Sequence, residues 1–513
     1  MRDASLHHPD STAVDDDVQD VIIIGGGVNG CGIAMDAAGR GLRVLLCEQD
    51  DLASATSSRS SKLIHGGLRY LEFYQFRLVG KALAEREALL HNAPHIIWPM
   101  RFRLPHRPHL RPAWMIRLGL FLYDHLARRK TLPGSRGLRF DQSSPLKPEI
   151  FRGFEYSDAW VDDSRLVVLT ARAAAQRGAQ ILTRTACVNA KRVDGLWQVT
   201  LEDRQSGQRR SYRSRALVNA SGPWAAQMLE AVIDTPVRRP LRLVKGSHIV
   251  VPRLHPGEES YILQNEDNRI VFVIPYEQDY SLIGTTDVDY QGDPAAAELS
   301  PEEGNYLLHV VNNHFRQQLT QRNILWSYAG VRALFDEDKK GAAQAASRDY
   351  LLDVHAQHGH PPLLSVLGGK ITTYRRLAEE ATDQLCELLH SPARAWTREA
   401  ALPGGDFRDQ QTLLADLQKL YPWLPAATAR RFTRSYGTLT HELLNGCRSM
   451  DEMGRHFGAD LYAREVHYLI QTEWALTAED VLWRRSKLGL HIRHGEAAVL
   501  RDFMDIRSKW RKP

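Results

Sequence analysis

The sequence predicts an α/β protein in two parts: a parallel-sheet unit of the nucleotide-binding kind, with an antiparallel layer inserted into it, and then a helical domain. Three features of the 513-residue chain carry that expectation. A short β-branched run, Val21 to Ile24, leads directly into Gly25, Gly27 and Gly30 and then into an Ala- and Gly-rich helix. Three short β-rich runs with turn residues between them, SHIVVP (247–252), RIVFVIPY (269–276) and SLIGTTDVDY (281–290), suggest an antiparallel sheet. Beyond about residue 395 the apolar spacing is mostly helical. A chain of this length exceeds what one core ordinarily fills, so two or three domains are expected.

In the first unit, Val21 to Ile24 has the composition of a buried parallel strand. Gly25, Gly27 and Gly30 follow at G-x-G-x-x-G spacing, and a second strand, Arg43 to Leu46, ends beside Glu48. In a Rossmann-like turn the first glycine permits the sharp bend, the second lets a pyrophosphate approach the backbone, and the third lets helix and strand pack closely. The helix N-terminus offers N–H groups and a positive dipole end to the phosphates. Glu48 is placed to accept hydrogen bonds from a ribose diol, which favours FAD or NAD over NADP. A rival phosphate loop at LGGKITTY fails: Leu364 stands where its first glycine belongs, and Ile371 replaces the required hydroxyl residue.

Next comes DDLASATSSRSSKLIHGG, dense in hydroxyls, which suits bonding to phosphate and ring heteroatoms and equally suits a solvated, helix-capping loop. RLVGKALAEREALLHNAP reads as a helix ending before proline, and DDSRLVVLTARAAAQRGAQ as a helix stopped at Gly178. GLWQVTLED alternates like an antiparallel strand. In the C-terminal part Trp423, Trp474, Trp483 and Trp510 are expected to anchor the core.

Composition narrows the function. Hydrophobic residues are 43% and charged residues 25%, the balance of a soluble globular chain. A net charge of +5 is too small to argue for nucleic acid. Cys31, Cys47, Cys187, Cys386 and Cys447 are widely spaced without a CxxC pair, so they read as free thiols of a reducing cytoplasm, and no metal site is expected. Residues 1–17 lack the apolar core of a secretory signal and read as a disordered lead-in. No run of ~20 apolar residues occurs, so no membrane-spanning helix is expected.

Taken together, IIIGGGVNGCGIAMDAAGRGL, ATSSRSSKLIHGGLRYLE, KGSHIVVP, YILQNEDNRIVFVIP, IGTTDVDY, LSVLGGKITTYRRLAE and LWRRSKLGL resemble the FAD-dependent glycerol-3-phosphate dehydrogenases of bacterial respiration, from about Asp20 almost to the C-terminus. The resemblance implies a Rossmann-like FAD-binding domain over 18–390, with an antiparallel-sheet substrate region interleaved at about 70–150 and 240–340, and a helical cap domain over 395–513. It implies oxidation of sn-glycerol 3-phosphate to dihydroxyacetone phosphate, with electrons passed to membrane quinone, by a homodimer held peripherally on the cytoplasmic face. FAD is expected to be non-covalent, since no histidine or cysteine stands out as an attachment point.

The resemblance also assigns roles. Gly25, Gly27, Asn29, Gly30, Glu48, Thr56, Ser57, Ser61, Lys62 and His65 would hold the cofactor, with Val188, Gly222, Gly369, Ile371 and Thr372 joining them from later in the chain. Gly66 and Gly67 would let the backbone lie against the flavin ring, where a side chain would collide. Arg69 and Tyr70 would reach the substrate; a guanidinium fork matches a phosphate dianion. His248 is the candidate base, a residue able to take a proton near neutral pH with little tuning. Arg332 would stabilise the substrate oxygen or share its phosphate, and Lys370 would sit at the same site. Ala333 follows Arg332 where the family pattern expects proline, so that loop is expected to be looser. Three cations, Arg69, Arg332 and Lys370, would predict an anionic substrate.

MRFRLPHRPHLRPAWMIRLGLFLYDHLARRK, covering 100–130, mixes cations with Phe102, Trp114, Met115, Leu118, Leu120, Phe121 and Leu122. That pattern suits contact with an anionic lipid surface, and also an ordinary amphipathic helix with a basic outer face. Two other functions stay open at this stage: a glycerol-3-phosphate oxidase using oxygen, and a non-catalytic, FAD-stabilised membrane scaffold.

Overall fold

The computed structural model describes residues 13–508, apart from 109, 336–348 and 358. Its first sheet holds β1 (Ala13–Ile24) and β2 (Val44–Cys47) side by side and parallel, joined by α1 (Val28–Gly39). Strand Arg209–Asn219 lies on the other side of β1, then Leu363–Gly368, both parallel to it, while Gln180–Leu182 extends the sheet beyond β2. Alternation decides which side chains face which layer. Val21, Ile23, Val44 and Leu46 pack under α1, α4 (Asp163–Ala175) and the helix Tyr374–Leu388. Ile22, Ile24, Leu45 and Cys47 face the antiparallel strands Thr185–Val193 and Leu196–Asp203 through Trp197, Val199 and Leu201.

The second sheet has ten strands and is antiparallel apart from one parallel pairing, Ser260–Gln264 on Ile97–Pro105. Leu241–Pro252, Ile270–Tyr276 and Tyr280–Gly284 form its middle, as the three β-rich runs predict. Trp326–Phe335 pairs along nearly the whole of Leu241–Pro252. The N-terminal contribution begins earlier and ends later than the sequence suggests: Leu63–Ile64 and Arg152–Val161 also belong to the sheet.

The C-terminal part is helical, with Gln410–Leu420, Ala426–Tyr436, Ala463–Thr472 and His494–Ser508 as its longer helices. Its own core runs from Leu424 to Met504, and Trp423 and Trp483 pack on it. Trp474 packs instead on the core of the first domain, and Trp510 lies outside the described residues.

Two boundaries differ from the sequence reading. Of the expected lead-in over 1–17, residues 1–12 lie outside the described residues and 13–17 belong to β1, where Ala13 and Val14 pair with Arg210 and Ser211. The register shifts between Val14 and Val18, across the three aspartates. The second strand is Val44–Cys47, one residue later than read, because Cys47 pairs with Ile24 and Leu182. All five cysteines are free thiols.

Candidate active site

A cavity of about 1200 Å³ lies between the two sheets and takes residues from both. At one end stands the glycine turn. Gly25 has φ +114°, and a Cβ there would meet the Ala220 carbonyl oxygen at 2.6 Å. A Cβ at Gly30 would collide with the Gly25 carbonyl, so the close helix–strand packing that motif predicts is present. Glu48, at the end of β2, accepts from the N–H of Gly26 at 2.7 Å and of Asp50 at 2.9 Å. Burial pushes its carboxyl up to about 6, and the two N–H donors only partly offset that. Ser57 Oγ accepts from Val28 N at 3.0 Å, and Thr56 Oγ1 donates to the Val331 carbonyl at 2.7 Å, so the hydroxyl-rich loop is tied to both α1 and the second sheet.

These groups fit a dinucleotide cofactor. Val188 lines the cavity at a bulge, where Cys187 pairs with Leu201 and Asn189 with Thr200, leaving Val188 without a ladder partner beside the nucleotide end. Asn29 Oδ1 is buried without a partner while its amide donates to the Gly368 carbonyl at 3.3 Å, a polar atom awaiting a ligand. Gly222, at φ +57°, and Gly369, at φ +103°, line the same wall. A second helical start, Ile371–Thr373 running into Tyr374–Leu388, presents Ile371 and Thr372 to the cavity.

The other end is built from side chains. His248 stands on Leu241–Pro252 with its ring stacked on Tyr328, 4.8 Å apart and 16° from parallel. Its Nε2 shares a 2.9 Å hydrogen bond with Ser61 Oγ, and its Nδ1 is buried with no partner. A Cβ on Gly284 would collide with the imidazole, which is why glycine stands opposite it. Burial, then the charges of Lys62 and Arg332, lower the imidazole to about 3. It is therefore neutral at pH 7, but protonating it is costly in the absence of an anion, contrary to the expectation that it needs little tuning. Arg332 Nη2 reaches Asp287 Oδ1 at 2.7 Å and lines the cavity. It lies inside the continuous ladder Leu241–Phe335 to Val250–Trp326, so Ala333 makes strand rather than the looser loop expected there. Lys370 Nζ sits 3.9 Å from the centre of the Tyr70 ring, and both residues line the cavity.

Several predicted residues stand elsewhere. Arg69 shares the 3₁₀ turn Leu68–Phe73 with Tyr70 but does not line the cavity, since successive residues of such a turn diverge by about 120°. Lys62 is buried away from the cavity, where Nζ bonds Asp163 Oδ1 at 2.8 Å and the Ser58 carbonyl at 3.1 Å. Gly66 is small for a different reason from the one expected: its N–H donates to Tyr123 Oη at 2.8 Å, and a Cβ would meet Leu83 and Tyr123. A Cβ on Gly67, at φ +76°, would strike the Tyr70 ring. His65 lines the cavity, and its N–H donates to Thr372 Oγ1 at 3.3 Å.

Sequence reasoning missed Arg59, Thr285 and Gly26. Arg59 lines the cavity and donates to the Ala329 carbonyl at 3.1 Å. It was visible as the one cation inside SSRSS. With Arg204, Arg332 and Lys370 it makes four cations on the cavity wall, two of them outside the expected set.

The basic stretch divides. Phe102 is buried, and Arg101 and Arg103 pair with Glu155 at 2.7 and 3.5 Å within the second sheet. The exposed apolar face belongs to α3 (Ala113–His125): Trp114 is 66% exposed, Leu118 50% and Phe121 51%. Leu120 and Tyr123 form its buried face. Among the described residues no helix is long and apolar enough to cross a membrane.

A glycine turn, a carboxylate at the nucleotide end and a cation-lined reaction end define a dinucleotide-dependent redox protein. The chain belongs to the FAD dependent oxidoreductase family, whose model matches residues 20–375. A second model, the C-terminal domain of alpha-glycerophosphate oxidase, matches 395–511. The aerobic glycerol-3-phosphate dehydrogenase of Escherichia coli is 55% identical over 475 residues, covering 92% of this chain and 95% of that one. The glycerol-3-phosphate dehydrogenase of Pseudomonas aeruginosa is 57% identical and covers 95% of each chain. A D-erythritol 1-phosphate dehydrogenase of Brucella abortus is 49% identical, over 95% of this chain and 97% of its own. Among solved structures, the glycerol-3-phosphate dehydrogenase of Bacillus halodurans complexed with FAD superposes with TM-score 0.75 at 26% identity, covering 97% of this chain and 92% of that one.

Proposed function

We propose that the protein oxidises sn-glycerol 3-phosphate to dihydroxyacetone phosphate and delivers the electrons to membrane quinone. The observation that carries the reading is the reaction end of the cavity, where Arg332, Lys370 and a neutral buried histidine line the wall. Bound FAD supplies the two-electron hydride acceptor for the C2 hydrogen. The substrate's hydroxyl proton passes to His248 Nδ1, the ring nitrogen without a protein partner. A bound phosphate dianion brings negative charge into the cavity, which favours the protonated imidazole against the burial and charges that hold it down, so substrate binding itself raises the basicity of His248. Lys370 takes the phosphate, Tyr70 orients it beneath Lys370, and Arg332, fixed by Asp287, stabilises charge growing on the C2 oxygen.

Anaerobic addition of sn-glycerol 3-phosphate to the holoenzyme should bleach the flavin spectrum, and an added quinone should restore it. Flavin that stays oxidised would sink the substrate assignment. Turnover on oxygen alone would make the protein an oxidase, which the dehydrogenases at 55% and 57% identity disfavour. D-Erythritol 1-phosphate is the competing substrate, given the relative at 49% identity, and the ratio of kcat/KM between the two decides.

Peripheral membrane attachment, by a homodimer at the cytoplasmic face, belongs to the same reading. Its support is the exposed row Trp114, Leu118 and Phe121 at i, i+4, i+7 spacing on α3, close to Arg111 and Arg117. Trp114→Glu with Phe121→Glu should abolish co-sedimentation with anionic vesicles while leaving flavin reduction intact. Equal co-sedimentation of variant and parent would remove α3 from the interface.

A further inference from the structure

The helical domain reaches the back of the reaction end by two routes that meet at His248. The first is aromatic. Trp483 stacks on Trp326, 4.4 Å apart and 18° from parallel; Trp326 leans on Tyr328 at 5.2 Å; Tyr328 stacks on His248 at 4.8 Å. A Cβ on Gly489 would collide with the Trp483 ring, so the tryptophan is held from its own side as well.

The second route is polar. Lys487, only 6% exposed, donates to Ser164 Oγ at 2.8 Å and lies 3.4 Å from Asp162. The neighbouring Asp163 bonds Lys62 Nζ at 2.8 Å and Ser60 Oγ at 2.8 Å, which fixes the segment that presents Ser61 to His248 Nε2. Tyr328 closes the loop between the routes by donating to the Ser60 carbonyl at 2.7 Å. Arg485 bonds both oxygens of Asp51, at 2.6 and 2.8 Å, pinning the start of the same hydroxyl-rich loop.

Docking for stability alone is served better by apolar contact than by buried charges, because desolvating a lysine and several carboxylates is costly. The cost is accounted for if the contact fixes a geometry. We infer that segment 480–487 of the helical domain is a clamp on the reaction end, with Trp483 and Lys487 as positioning residues for His248. The inference rests on the proposed function for its kinetic readout. Misplacing a base by about 1 Å can cost on the order of a hundredfold in rate, and stacking is what keeps this ring in one plane.

The test uses full-length holoenzyme carrying Trp483→Ala, Trp483→Phe or Lys487→Met. Flavin content, the rate of flavin reduction and KM for sn-glycerol 3-phosphate are measured, and the pKa of His248 is read from imidazole C2–H exchange by mass spectrometry. Ser61, Lys62, Asp163, Arg332 and Tyr328 are the polar and charged groups facing that ring. Trp483→Ala should keep its flavin and its KM within about twofold, lose about tenfold in reduction rate, and show a raised His248 pKa as water reaches the ring. Trp483→Phe, which preserves a stacking face, should recover most of the rate. An unchanged rate with an unchanged pKa would overturn the clamp. Should Trp483→Ala lose its flavin, Lys487→Met, which lacks the buried cation, decides: it should reduce flavin more slowly with its KM kept, and a parental rate with a parental His248 pKa would overturn the clamp equally. If the parent is not reduced by sn-glycerol 3-phosphate, the substrate reading fails and the exchange measurement alone decides the clamp.

Discussion

The two ends of the cavity are made by opposite means. The nucleotide end is mostly backbone, and most of it comes from one stretch of chain: the turn at Gly25 to Gly30, the carboxylate of Glu48 and the loop through Ser57. The reaction end is side chains brought from four distant segments, carrying Tyr70, His248, Arg332 and Lys370. The first end is crowded at Gly25 and Gly30, where an added Cβ would strike backbone, and depends little on charge. The second depends on side-chain charges whose protonation the surroundings control.

That contrast breaks first at Gly30. Its missing Cβ is what lets α1 start directly over the Gly25 carbonyl. Gly30→Val should therefore displace the helix start, and with it the phosphate site. The expected outcome is protein purified with less than about a tenth of the parental flavin, because close helix–strand packing at this glycine is a condition of the motif. Normal flavin content would mean that α1 can slide at no cost.

At the reaction end the corresponding change leaves cofactor binding alone. His248→Asn removes the proton acceptor but can keep a hydrogen bond to Ser61. Flavin content and KM should stay near parental values, while the reduction rate falls about 10²–10⁴-fold, the range of a lost general base. A fall of less than about threefold would hand the proton to another group, with Arg332 the next candidate on the same wall.

The same contrast explains what could be read from the sequence. A turn made of consecutive residues carries its geometry in its spacing, so Gly25 and Gly30 show the close packing that their spacing predicts, with Glu48 beside the turn at Gly26. The three β-rich runs likewise became neighbouring strands. The reaction end is set by packing between segments. Whether Arg69 or Tyr70 faces the cavity depends on the rotation of one 3₁₀ turn. Lys62 sits in a hydroxyl-rich loop that looks like a ligand cradle, yet Asp163, a hundred residues later, withdraws it. Gly66 is small because Tyr123 and Leu83 crowd it from α3 and α2 (Phe76–Asn92), which no local pattern reveals.

Glu48 is the one place where the backbone-built end does depend on charge. Its carboxyl is pushed up to about 6, above the unfolded value, chiefly by burial. A carboxyl raised in this way makes the native apoprotein bind its proton more readily than the unfolded chain does. Its contribution to stability is thus favourable at low pH and is lost as pH rises through about 6. Above that pH the ionised group burdens the empty fold, and ribose hydroxyls relieve the burden by donating to it. Glu48→Gln still offers an oxygen to the Gly26 N–H but never ionises. The variant apoprotein should melt higher than the parent at pH 7.5, with the gap closing by pH 5, and it should bind FAD several-fold more weakly at pH 7.5. Parental FAD affinity should weaken as pH falls through about 6, whereas the variant's stays level. Parental affinity that is level from pH 5 to 8 would show that the carboxylate charge does not contribute to cofactor binding, and the nucleotide end would then be backbone alone.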